Sequence, residues 1–513
     1  MSEPAHRVLP MGERAVLIET DGPASVAALR AALEASPPEG VSEIVPALRT
    51  VLVSFDPDRI APERVHHWIL SAPPAPVGSA AAAVELPIVY DGEDLREVAE
   101  ELGIGREELL ARHASARWTV AFTGFAPGFG YLVSDQWPFR VPRRSTPRTR
   151  VPAGAVGLAA EFTGAYPRPS PGGWRLIGTT RARLFDPDAA RPALLEPGAE
   201  VRFRPERARA RVLPEPARPG PSGAPGRGPA LRIEQAPGAT VQDEGRPGWA
   251  RLGVAHSGAL DRAALRLANR LVGNAPSAAG LEIPPSGASL VADADGWFAL
   301  TGAWAPAEVA GRTATPFRAH LWRAGERLRI GRPERGARVY LAVRGGLGTV
   351  PVLGSRSTDT LSGLGPVIGP GTTVPVGSDA AGPVPAVDAG PWGWISDPIE
   401  VAVLPGPRRD FLTPAALRAL TATAWTVSPA SDRVGMRLEG PPLERSRGDE
   451  IPSEPMVPGA VQVPPDGHPV VLLADGPVTG GYPVVAVVAD RDRDALGQAL
   501  PGARVRFHRS PGW

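Results

Sequence analysis

The chain has 513 residues, with 55 basic and 54 acidic side chains, so its formal net charge is +1. Every basic residue is an arginine and there is no cysteine, which excludes lysine or cysteine nucleophiles, a biotinyl-lysine, disulfides and a thiolate-bound zinc. Such a balanced charge offers nucleic acid or anionic lipid no general attraction, and no run of about 18 apolar residues could span a membrane. We therefore expect a cytoplasmic protein with no zinc, no biotin, and no nucleic-acid or membrane partner.

The first 75 residues predict a small α/β domain. Strand-like Ala15–Glu19 is followed by a helical pattern over 24–34, and strand-like Thr50–Phe55 is followed by another over 62–70. The stretch from 71 to 83 is rich in Pro and Ala and almost without charge, which predicts a linker.

From 84 to 204, two helical patterns between 95 and 113 precede short apolar runs separated by turn residues. The chain's 59 glycines and 62 prolines separate such runs throughout, a pattern typical of β-barrels or sandwiches. Residues 205–228, rich in Pro, Gly and Arg, predict a second linker. Two further domains are expected, each a β-barrel, over 229–386 and 387–513.

A repeat joins the two parts of the chain. Three landmarks occur twice, in the same order and at similar spacing: a Val-Pro turn, a Gly-Gly-aromatic triplet and a strand that begins Pro-Gly-Ala. They lie at 151–156 and 457–461, at 172–174 and 480–482, and at 197–203 and 501–507. The repeat predicts that 84–204 and 387–513 share one fold. Weaker echoes at 324–330 and 370–376 allow a third copy within 229–386.

Two segments of the first repeat predict ligand contacts. The run 122–132 alternates aromatic residues with Gly and Pro, which suits a flat amide or ring, although an aromatic hairpin that only packs a core has the same composition. Downstream lies an arginine-dense edge that contains Arg143, Arg144, Arg148 and Arg150. Such an edge can clamp phosphate or carboxylate, or it can be a solvated basic face.

Hydroxyl groups stand beside consecutive glycines in both copies of the repeat. Ser170 precedes one Gly-Gly pair and Thr479 precedes the other, and such turns can bind an anion through successive N–H groups, although each is a weak signal alone. Carboxylates next to Gly, Pro or Arg are expected at a barrel mouth and are equally typical of turns and salt bridges. Those in this chain include Asp243, Asp261, Asp359, Asp466 and Asp475.

Two histidines adjoin these motifs. His113 and His256 can each serve as a general acid or base, or as a polar residue of the core. Asp261 suits the first turn of a helix that ends near Gly273 and Asn274, a capping role that needs no catalysis.

Longer motifs make the chain recognisable. The first half contains Gly124-Phe125-x-Pro127-Gly128-Phe129-x-Tyr131-Leu132, Pro147-Arg148-x-x-Val151-Pro152-Ala153-Gly154 and Ser170-Pro171-Gly172-Gly173-Trp174. These motifs resemble the KipI-like family, whose members are also called the B subunit of 5-oxoprolinase or the first subunit of allophanate hydrolase.

The second half contains Thr240-Val241-Gln242-Asp243-x-Gly245-Arg246, Ser257-Gly258-Ala259-x-Asp261, Gly354-Ser355-Arg356-Ser357-Thr358-Asp359, Ser431-Asp432-Arg433-x-Gly435 and Gln462-Val463-Pro464-Pro465-Asp466. These motifs resemble the KipA-like family, whose members are also called the C subunit of 5-oxoprolinase and to which the carboxyltransferase-like region of urea carboxylases is related. The resemblance covers nearly the whole chain.

The resemblance implies a fusion of the B and C subunits, mainly β with some α, in which a small N-terminal α/β domain precedes tandem cyclophilin-like β-barrels. It implies one component of an ATP-dependent cyclic-amide hydrolase that uses ATP with Mg²⁺ as a substrate. With a separate A subunit of 5-oxoprolinase, this component would open the small amide 5-oxo-L-proline to glutamate. In this picture Arg148, Arg356 and Arg433 neutralise phosphate charge, and an Asp holds Mg²⁺.

We predict three catalytic residues, Asp466, Asp475 and His113, and no metal site made by the protein alone. The motif positions predicted to bind substrate or nucleotide are Gly124, Pro127, Gly128, Tyr131, Arg148, Pro152, Gly154, Ser170, Gly172, Gly173, Gln242, Asp243, Arg246, Ser257, Asp261, Ser355, Arg356, Ser357, Asp359, Arg433, Gln462, Thr479, Gly480, Gly481 and Tyr482.

Two other functions stay open. One is a carboxyltransferase-like, amide-processing component of the urea amidolyase and allophanate hydrolase group, whose biotin and amidase would have to reside on other chains. The other is a regulator of a sensor histidine kinase, because KipI-like proteins are known as inhibitors of such kinases. The sequence does not decide which barrel would hold ATP and which the amide, or whether identical chains associate.

Overall fold

The structure is a computed structural model that describes residues 6–73, 83–207, 228–386, 388–390, 395–449 and 451–510. Most of both predicted linkers therefore lies outside the described residues. The described part is mainly β with some α, as the sequence predicts. None of its helices is long and apolar enough to cross a membrane.

The N-terminal unit consists of four antiparallel strands and two helices. Its elements are β1 (Arg7–Pro10), β2 (Ala15–Glu19), α1 (Pro23–Ala35), β3 (Val41–Pro46), β4 (Thr50–Phe55) and α2 (Pro62–Ser71), and the sheet order is β1-β2-β4-β3. Successive side chains of a strand point to opposite faces. Val51 and Val53 of β4 therefore pack under the helices, whereas Leu52 packs against the C-terminal part of the chain.

Residues 84–207 form the first barrel. Its elements are β5 (Val84–Ile88), α3 (Leu95–Glu101), α4 (Arg106–Ser115), β6 (Trp118–Thr123), β7 (Gly130–Val133), β8 (Arg148–Val151), β9 (Ala155–Ala159), β10 (Phe162–Ala165), β11 (Ser170–Gly172), β12 (Arg175–Thr179) and β13 (Glu200–Pro205). Seven strands follow the order β12-β9-β10-β7-β6-β13-β5, and β8 pairs with β11 separately. A single bridge between Val89 and Thr179 joins the two ends of the sheet.

Residues 229–386 form a two-sheet unit. Its elements are β14 (Ala230–Gln235), β15 (Thr240–Gln242), α5 (Arg262–Leu271), β16 (Gly280–Ile283), β17 (Ala288–Ala292), β18 (Gly296–Trp304), β19 (Ala307–Val309), β20 (Arg312–Thr313), β21 (Ala319–Trp322), β22 (Arg327–Ile330), β23 (Arg335–Val343) and β24 (Thr373–Pro375). The sheet orders are β20-β19-β22-β17-β14-β24 and β15-β16-β23-β18-β21. Apolar side chains of both sheets share one core.

The second barrel follows. Its elements are β25 (Ile399–Pro405), α6 (Pro414–Ala422), β26 (Ala424–Val427), β27 (Gly435–Glu439), β28 (Glu454–Pro455), β29 (Ala460–Gln462), β30 (Val470–Leu472), β31 (Thr479–Gly480), β32 (Val484–Val488), α7 (Arg493–Leu496) and β33 (Arg504–Arg509). Seven strands close completely in the order β25-β32-β29-β30-β27-β26-β33, and β28 pairs with β31 separately.

The two barrels have the same topology, so the repeat predicted from sequence is confirmed. In each, the last strand runs parallel to the first strand and antiparallel to the second: β13 pairs with β5 and β6, and β33 pairs with β25 and β26. The two matching turns contain Gly154 and Gly459, which have positive φ angles of 78° and 90°. A glycine is favoured at both positions because side chains are strained there.

The suggested third copy within 229–386 is not found. The described strands of that region form two separate sheets instead of a seven-stranded barrel. The echoes at 324–330 and 370–376 correspond to turns that lead into β22 and β24. A glycine turn before a β-branched strand is a general device for starting a strand, so it does not identify a barrel by itself.

Candidate functional site

A buried ionic cluster connects the two-sheet unit to the second barrel. Arg433 is at its centre and makes two hydrogen bonds to Asp475, Nε to Oδ2 at 3.0 Å and Nη2 to Oδ1 at 3.0 Å. Its Nη1 donates to Oε1 of Glu282 at 2.6 Å. Burial lowers the pKa of Arg433, but the charges of Glu282 and Asp475 outweigh that effect and raise it above its ordinary value. The cluster therefore holds one arginine between two carboxylates.

Asp475 is a hydrogen-bond acceptor for three loops. Ser257 Oγ donates to it at 2.7 Å, and Thr360 donates through N at 2.9 Å and through Oγ1 at 2.7 Å. Burial alone would raise the pKa of Asp475, but the charge and hydrogen bonds of Arg433 lower it below its ordinary value. The carboxylate is thus ionised and fully surrounded, which fits a positioning role and leaves the predicted catalytic role untested.

A second carboxylate, that of Asp243, accepts hydrogen bonds from all three residues of the predicted segment 355–357. Asp243 Oδ1 accepts hydrogen bonds from Ser355 Oγ at 2.6 Å and Ser357 Oγ at 2.5 Å, and its Oδ2 accepts one from the N–H of Arg356 at 2.6 Å. More than a hundred residues of chain separate Asp243 from these partners. The structure therefore brings four predicted site residues into one network.

Asp359 lies in the same region without any arginine bonded to it. It accepts from the N–H groups of Leu361 and Ser362, each at 2.9 Å, and from the Ser362 hydroxyl. Burial, followed by the nearby negative charge of Asp475, raises the pKa of Asp359 above its ordinary value. Asp359 consequently keeps a proton at a higher pH than an exposed aspartate does.

Gln242 and Arg246 complete this network. Gln242 Nε2 donates to the carbonyl oxygen of Thr358 at 2.9 Å, and Arg246 Nη2 donates to the carbonyl oxygen of Ser357. Both side chains are almost completely buried. No carboxylate of the described residues is within ion-pair distance of Arg246, in contrast to Arg433.

The glycine-rich hairpin of the first barrel contacts both the two-sheet unit and the second barrel. The N–H of Gly128 donates to the carbonyl of Leu252 at 2.9 Å. A Cβ atom on Gly124 would lie only 1.8 Å from Oγ1 of Thr479, in the second barrel. Gly124 therefore allows the hairpin to approach Thr479 directly, and this packing accounts for the residue without a ligand.

The aromatic residues of this hairpin pack a core. The rings of Tyr131 and Phe122 are stacked with centroids 4.3 Å apart, and Phe129 and Trp174 lie against the Tyr131 ring. Burial raises the pKa of Tyr131 to about 12. Of the two interpretations of the 122–132 run, the structure favours the aromatic core.

The predicted phosphate clamp is neutralised inside the protein. Arg148 Nη2 is 2.8 Å from Asp94 Oδ1, and Arg144 Nη1 is 2.9 Å from the same oxygen. Asp94 Oδ2 accepts the N–H of Leu176 at 2.7 Å. Arg148 and Arg433 are both paired with carboxylates, so their charges are balanced within the protein, and their contact with a phosphate stays a prediction. Arg356 is half-buried and donates to the Thr349 carbonyl at 2.9 Å.

His113 is a core residue in this structure. Its Nε2 lies 2.9 Å from Thr163 Oγ1, which itself donates to the Gly157 carbonyl, and its Nδ1 lies 2.8 Å from the Tyr90 hydroxyl. These contacts select the neutral ring with the proton on Nε2. Burial lowers the pKa of His113 to about 3. The ring reaches neither solvent nor the ionic cluster, so the structure favours the polar-core interpretation of His113 and its catalytic role stays a prediction.

Asp466 and Asp261 have local structural roles. Asp466 is exposed in a turn, where it accepts the N–H of His468 at 3.1 Å, and its catalytic role stays a prediction. Asp261 caps α5 by accepting the N–H of Ala264 at 2.9 Å, and Gln498 donates to its other oxygen at 2.7 Å. The capping interpretation of Asp261 is confirmed, and α5 ends just before Gly273.

The other predicted positions are dispersed. Pro152 and Gly154 lie in the turn before β9, Ser170 and Gly172 are in β11, and Pro127 and Gly173 are in the loops beside them. Gln462 of β29 approaches Gly480, where a Cβ atom would be 3.1 Å from Gln462 Nε2. Gly481 and the exposed Tyr482 follow. In the described residues, no group of three or more His, Asp or Glu side chains is arranged to hold a metal ion.

Several residues of these networks escaped sequence analysis, among them Glu282, Tyr340, Asp94 and Thr360. Glu282 of β16 accepts the Tyr340 hydroxyl at 2.7 Å as well as Arg433, and Asp94 anchors Arg148. A glutamate inside the apolar strand Gly280–Ile283 is the one local signal that could have identified Glu282. Tyr340 and Asp94 carry no comparable signal.

Comparison with known proteins identifies the family. The family model of the carboxyltransferase domain, subdomain A and B, matches residues 252–509, and that of subdomain C and D matches residues 6–195. The chain belongs to the carboxyltransferase-domain family. It is 39% identical over 273 residues to the 5-oxoprolinase C subunit of Escherichia coli K12, a match that spans 52% of this chain and 87% of that protein.

Other relatives support both halves of this assignment. The 5-oxoprolinase B subunit of Escherichia coli O157:H7 is 37% identical over 208 residues, which are 38% of this chain and 94% of that protein. A crystal structure of TTHA0988 matches over 96% of this chain and 99% of its own, with a TM-score of 0.87 and 38% identity. The predicted fusion of two regions, one similar to the B subunit and one similar to the C subunit, is thus confirmed.

Proposed function

We propose that this chain is the fused B–C component of an ATP-dependent 5-oxoprolinase, which acts with a separate A subunit to open 5-oxo-L-proline to glutamate. The observation that carries the proposal is the similarity of one polypeptide to the B and C subunits of 5-oxoprolinase, 37% and 39% identical over most of each relative. The hairpin contact between Gly128 and Leu252 supports a joint role, since the two related regions meet directly.

The chemistry follows from the weak electrophilicity of a five-membered lactam. Transfer of the γ-phosphoryl group of ATP to the lactam oxygen, with release of ADP, makes the ring carbon electrophilic. Water then adds to that carbon, the ring C–N bond breaks as nitrogen gains a proton, and γ-glutamyl phosphate results. A second water attacks the acyl carbon, the C–O bond to the phosphoryl group breaks, and phosphate that contains the former lactam oxygen leaves glutamate.

The role of this chain would be to bind and orient the lactam and ATP, and not to supply a nucleophile. It has no lysine and no cysteine, and the ionic cluster of Arg433, Asp475 and Glu282 holds loops from two units in fixed positions. Rigid placement of a weak electrophile beside ATP is itself a large part of such catalysis.

Reconstitution tests the proposal. The purified chain is mixed with a homologue of the A subunit, ATP, Mg²⁺ and 5-oxo-L-proline, and ADP and glutamate are measured together. We expect equal amounts of both products, and only when both proteins are present. ATP hydrolysis that is unaffected by 5-oxoproline, or no glutamate at any protein ratio, would argue against this function.

One observation favours a second candidate, a carboxyltransferase-like role. The chain is 32% identical over 298 residues to the urea amidolyase of Saccharomyces cerevisiae, although the match covers only 16% of that protein. Because the chain has no lysine, any biotin would have to be carried by another protein. Avidin-sensitive carboxylation of a small amide, without glutamate formation, would select this candidate.

A further inference from the structure

Two polar atoms deep in the Asp243 network have no hydrogen-bond partner. They are Oε1 of Gln242 and Nη1 of Arg246, and both are buried. The Gln242 side chain is completely buried and that of Arg246 is 1% exposed. Buried polar groups without partners are rare in native proteins, because each loses its contact with water.

Arg246 needs an anion more than it needs a further neutral partner. Its guanidinium donates to the carbonyl oxygens of Ser357 and Val352, and no carboxylate of the described network is bonded to it. The nearest acidic groups, Asp359, Asp243 and Asp475, act on it only through longer-range attraction. A water molecule could accept a hydrogen bond from Nη1 but could not neutralise the charge.

Gln242 provides the complementary acceptor. Its Nε2 donates to the carbonyl of Thr358 at 2.9 Å and contacts Thr240 Oγ1 at 3.0 Å. The carbonyl of Thr358 can only accept a hydrogen bond, so Nε2 of Gln242 and not Oε1 must face it. This fixes the orientation of the amide and leaves Oε1 as an acceptor without a donor. The group that would satisfy Oε1 is therefore an N–H or O–H donor.

The two side chains are anchored to neighbouring parts of one loop. Arg246 donates to the carbonyl of Ser357 and Gln242 to that of Thr358, the next residue, and consecutive Cα atoms are about 3.8 Å apart. The same loop is held by Asp243 through Ser355 and Ser357. A small molecule that carries both an anionic group and an N–H has the two kinds of group that these atoms lack.

We propose that Arg246 and Gln242 form the subsite for a small carboxylated amide, in which Arg246 binds the carboxylate and Gln242 Oε1 accepts the amide N–H. This inference rests on the proposed function in one respect, since 5-oxo-L-proline has both groups. The assignment replaces Arg148 and Arg433, whose charges are already neutralised, as the anion anchor of the chain.

Binding to the isolated full chain tests the subsite without a second protein or ATP. Isothermal titration would compare 5-oxo-L-proline, pyrrolidin-2-one, which lacks the carboxylate, and the lactone 5-oxotetrahydrofuran-2-carboxylate, which lacks the N–H. We expect binding to weaken by about tenfold to a hundredfold without the carboxylate and by about fivefold without the N–H, as for charged and neutral hydrogen bonds. Inorganic phosphate, added as a competitor, distinguishes a phosphate anchor from a carboxylate anchor: the proposal requires that phosphate compete poorly.

Substitutions make the test specific to these atoms. R246Q should lose the preference for 5-oxo-L-proline over pyrrolidin-2-one, and R246K, which keeps the charge but not the planar fork, should restore part of it. Q242M should lose the preference over the lactone. R329Q is the control, because Arg329 lies exposed on β22 and pairs with Glu308. Circular dichroism and a thermal melt would establish that each variant is folded.

The results separate this subsite from the proposed function. Equal binding of 5-oxo-L-proline and pyrrolidin-2-one to the unmodified chain, or unchanged binding to folded R246Q and Q242M, would overturn the subsite. If R246Q were folded and fully active in the reconstituted assay, the subsite would fail and the 5-oxoprolinase function would stand. If binding depended on Arg246 but no glutamate formed on reconstitution, the subsite would stand and the 5-oxoprolinase function would fail.

Discussion

The first and second barrels share their strand order and each has an apolar core, but the side chains that pack beside those cores differ. The first is closed at its seam by one bridge and contains an aromatic cluster around Tyr131 and Trp174. The second closes completely, and it contributes Arg433 and Asp475 to an ionic cluster with the two-sheet unit. One scaffold therefore serves mainly as a packed module in one copy and as the support of a polar network in the other.

Equivalent tryptophans in the two barrels, Trp118 and Trp425, show one difference between the copies. The indole N–H of Trp118 donates to the carbonyl of His113 at 3.1 Å in the first barrel, and that of Trp425 donates to the carbonyl of Leu420 at 2.9 Å in the second. The same structural bond thus joins a helix to the following strand in both copies. What differs is the side chain beneath it, histidine in one and leucine in the other.

Removing the central arginine of the ionic cluster should have the largest effect. R433A leaves Asp475 buried without an opposite charge, so we expect the free energy of unfolding to fall by about 3–5 kcal/mol. The matched change R148A in the first barrel should cost only about 1–2 kcal/mol, because Asp94 keeps Arg144 and the N–H of Leu176. Urea denaturation of both variants measures this difference, and equal losses would show that the barrels do not differ in this way.

The contact between the barrels can be broken by a single methyl group. G124A places a Cβ atom against Thr479, and we expect a loss of about 1–3 kcal/mol from the strain. G296A is the control, since no atom lies within 4 Å of a Cβ at Gly296. The double variant G124A/T479A should recover part of the stability. A G124A protein that melts at the unmodified temperature would contradict the close approach seen here.

Replacing His113 by the leucine of the second barrel should change the response to acid. The pKa of His113 is lowered from its ordinary value of 6.5 to about 3 in the folded protein, so the unfolded chain binds the proton first and stability is lost as pH falls from 6.5 towards 3. H113L removes this contribution.

We expect the unfolding free energy of the unmodified protein to fall relative to H113L by about 1 kcal/mol per pH unit below about pH 6. Urea denaturation of both proteins at about pH 7, 6 and 5 measures this trend. In NMR spectra the ring of His113 should stay neutral at the lowest of these pH values. A protonated His113 ring there would mean that the ring is accessible.

Cutting the chain between the two related regions should have the smallest effect. Arg408 of the second barrel contacts Glu19 of the N-terminal unit and Glu454, and Arg168 of the first barrel donates to the Leu361 carbonyl at 2.7 Å. A protease site inserted within 208–227 and then cleaved should leave a complex that elutes as one species. Separation of the two fragments at micromolar concentration would show that the covalent connection is needed.

Sequence analysis predicted the barrels well because their signals are local. The turns at Gly154 and Gly459 and the final strands recur in the chain, and Asp261 caps α5 as its position indicates. The partners of the arginines could not be predicted in the same way. Arg433 and Glu282 are 151 residues apart, and only folding brings them together, so sequence alone could not distinguish a free arginine from a neutralised one.

The route of the lactam oxygen tests the central claim most directly. In a reconstituted reaction of this chain with a 5-oxoprolinase A subunit, 5-oxo-L-proline labelled with ¹⁸O at the lactam carbonyl is converted, and the released phosphate is analysed by mass spectrometry. If the lactam oxygen is phosphorylated and the second water then attacks the acyl carbon, so that the C–O bond breaks, the label should appear in inorganic phosphate alongside equal amounts of ADP and glutamate. Glutamate that retains all of the label, with unlabelled phosphate, would contradict the account.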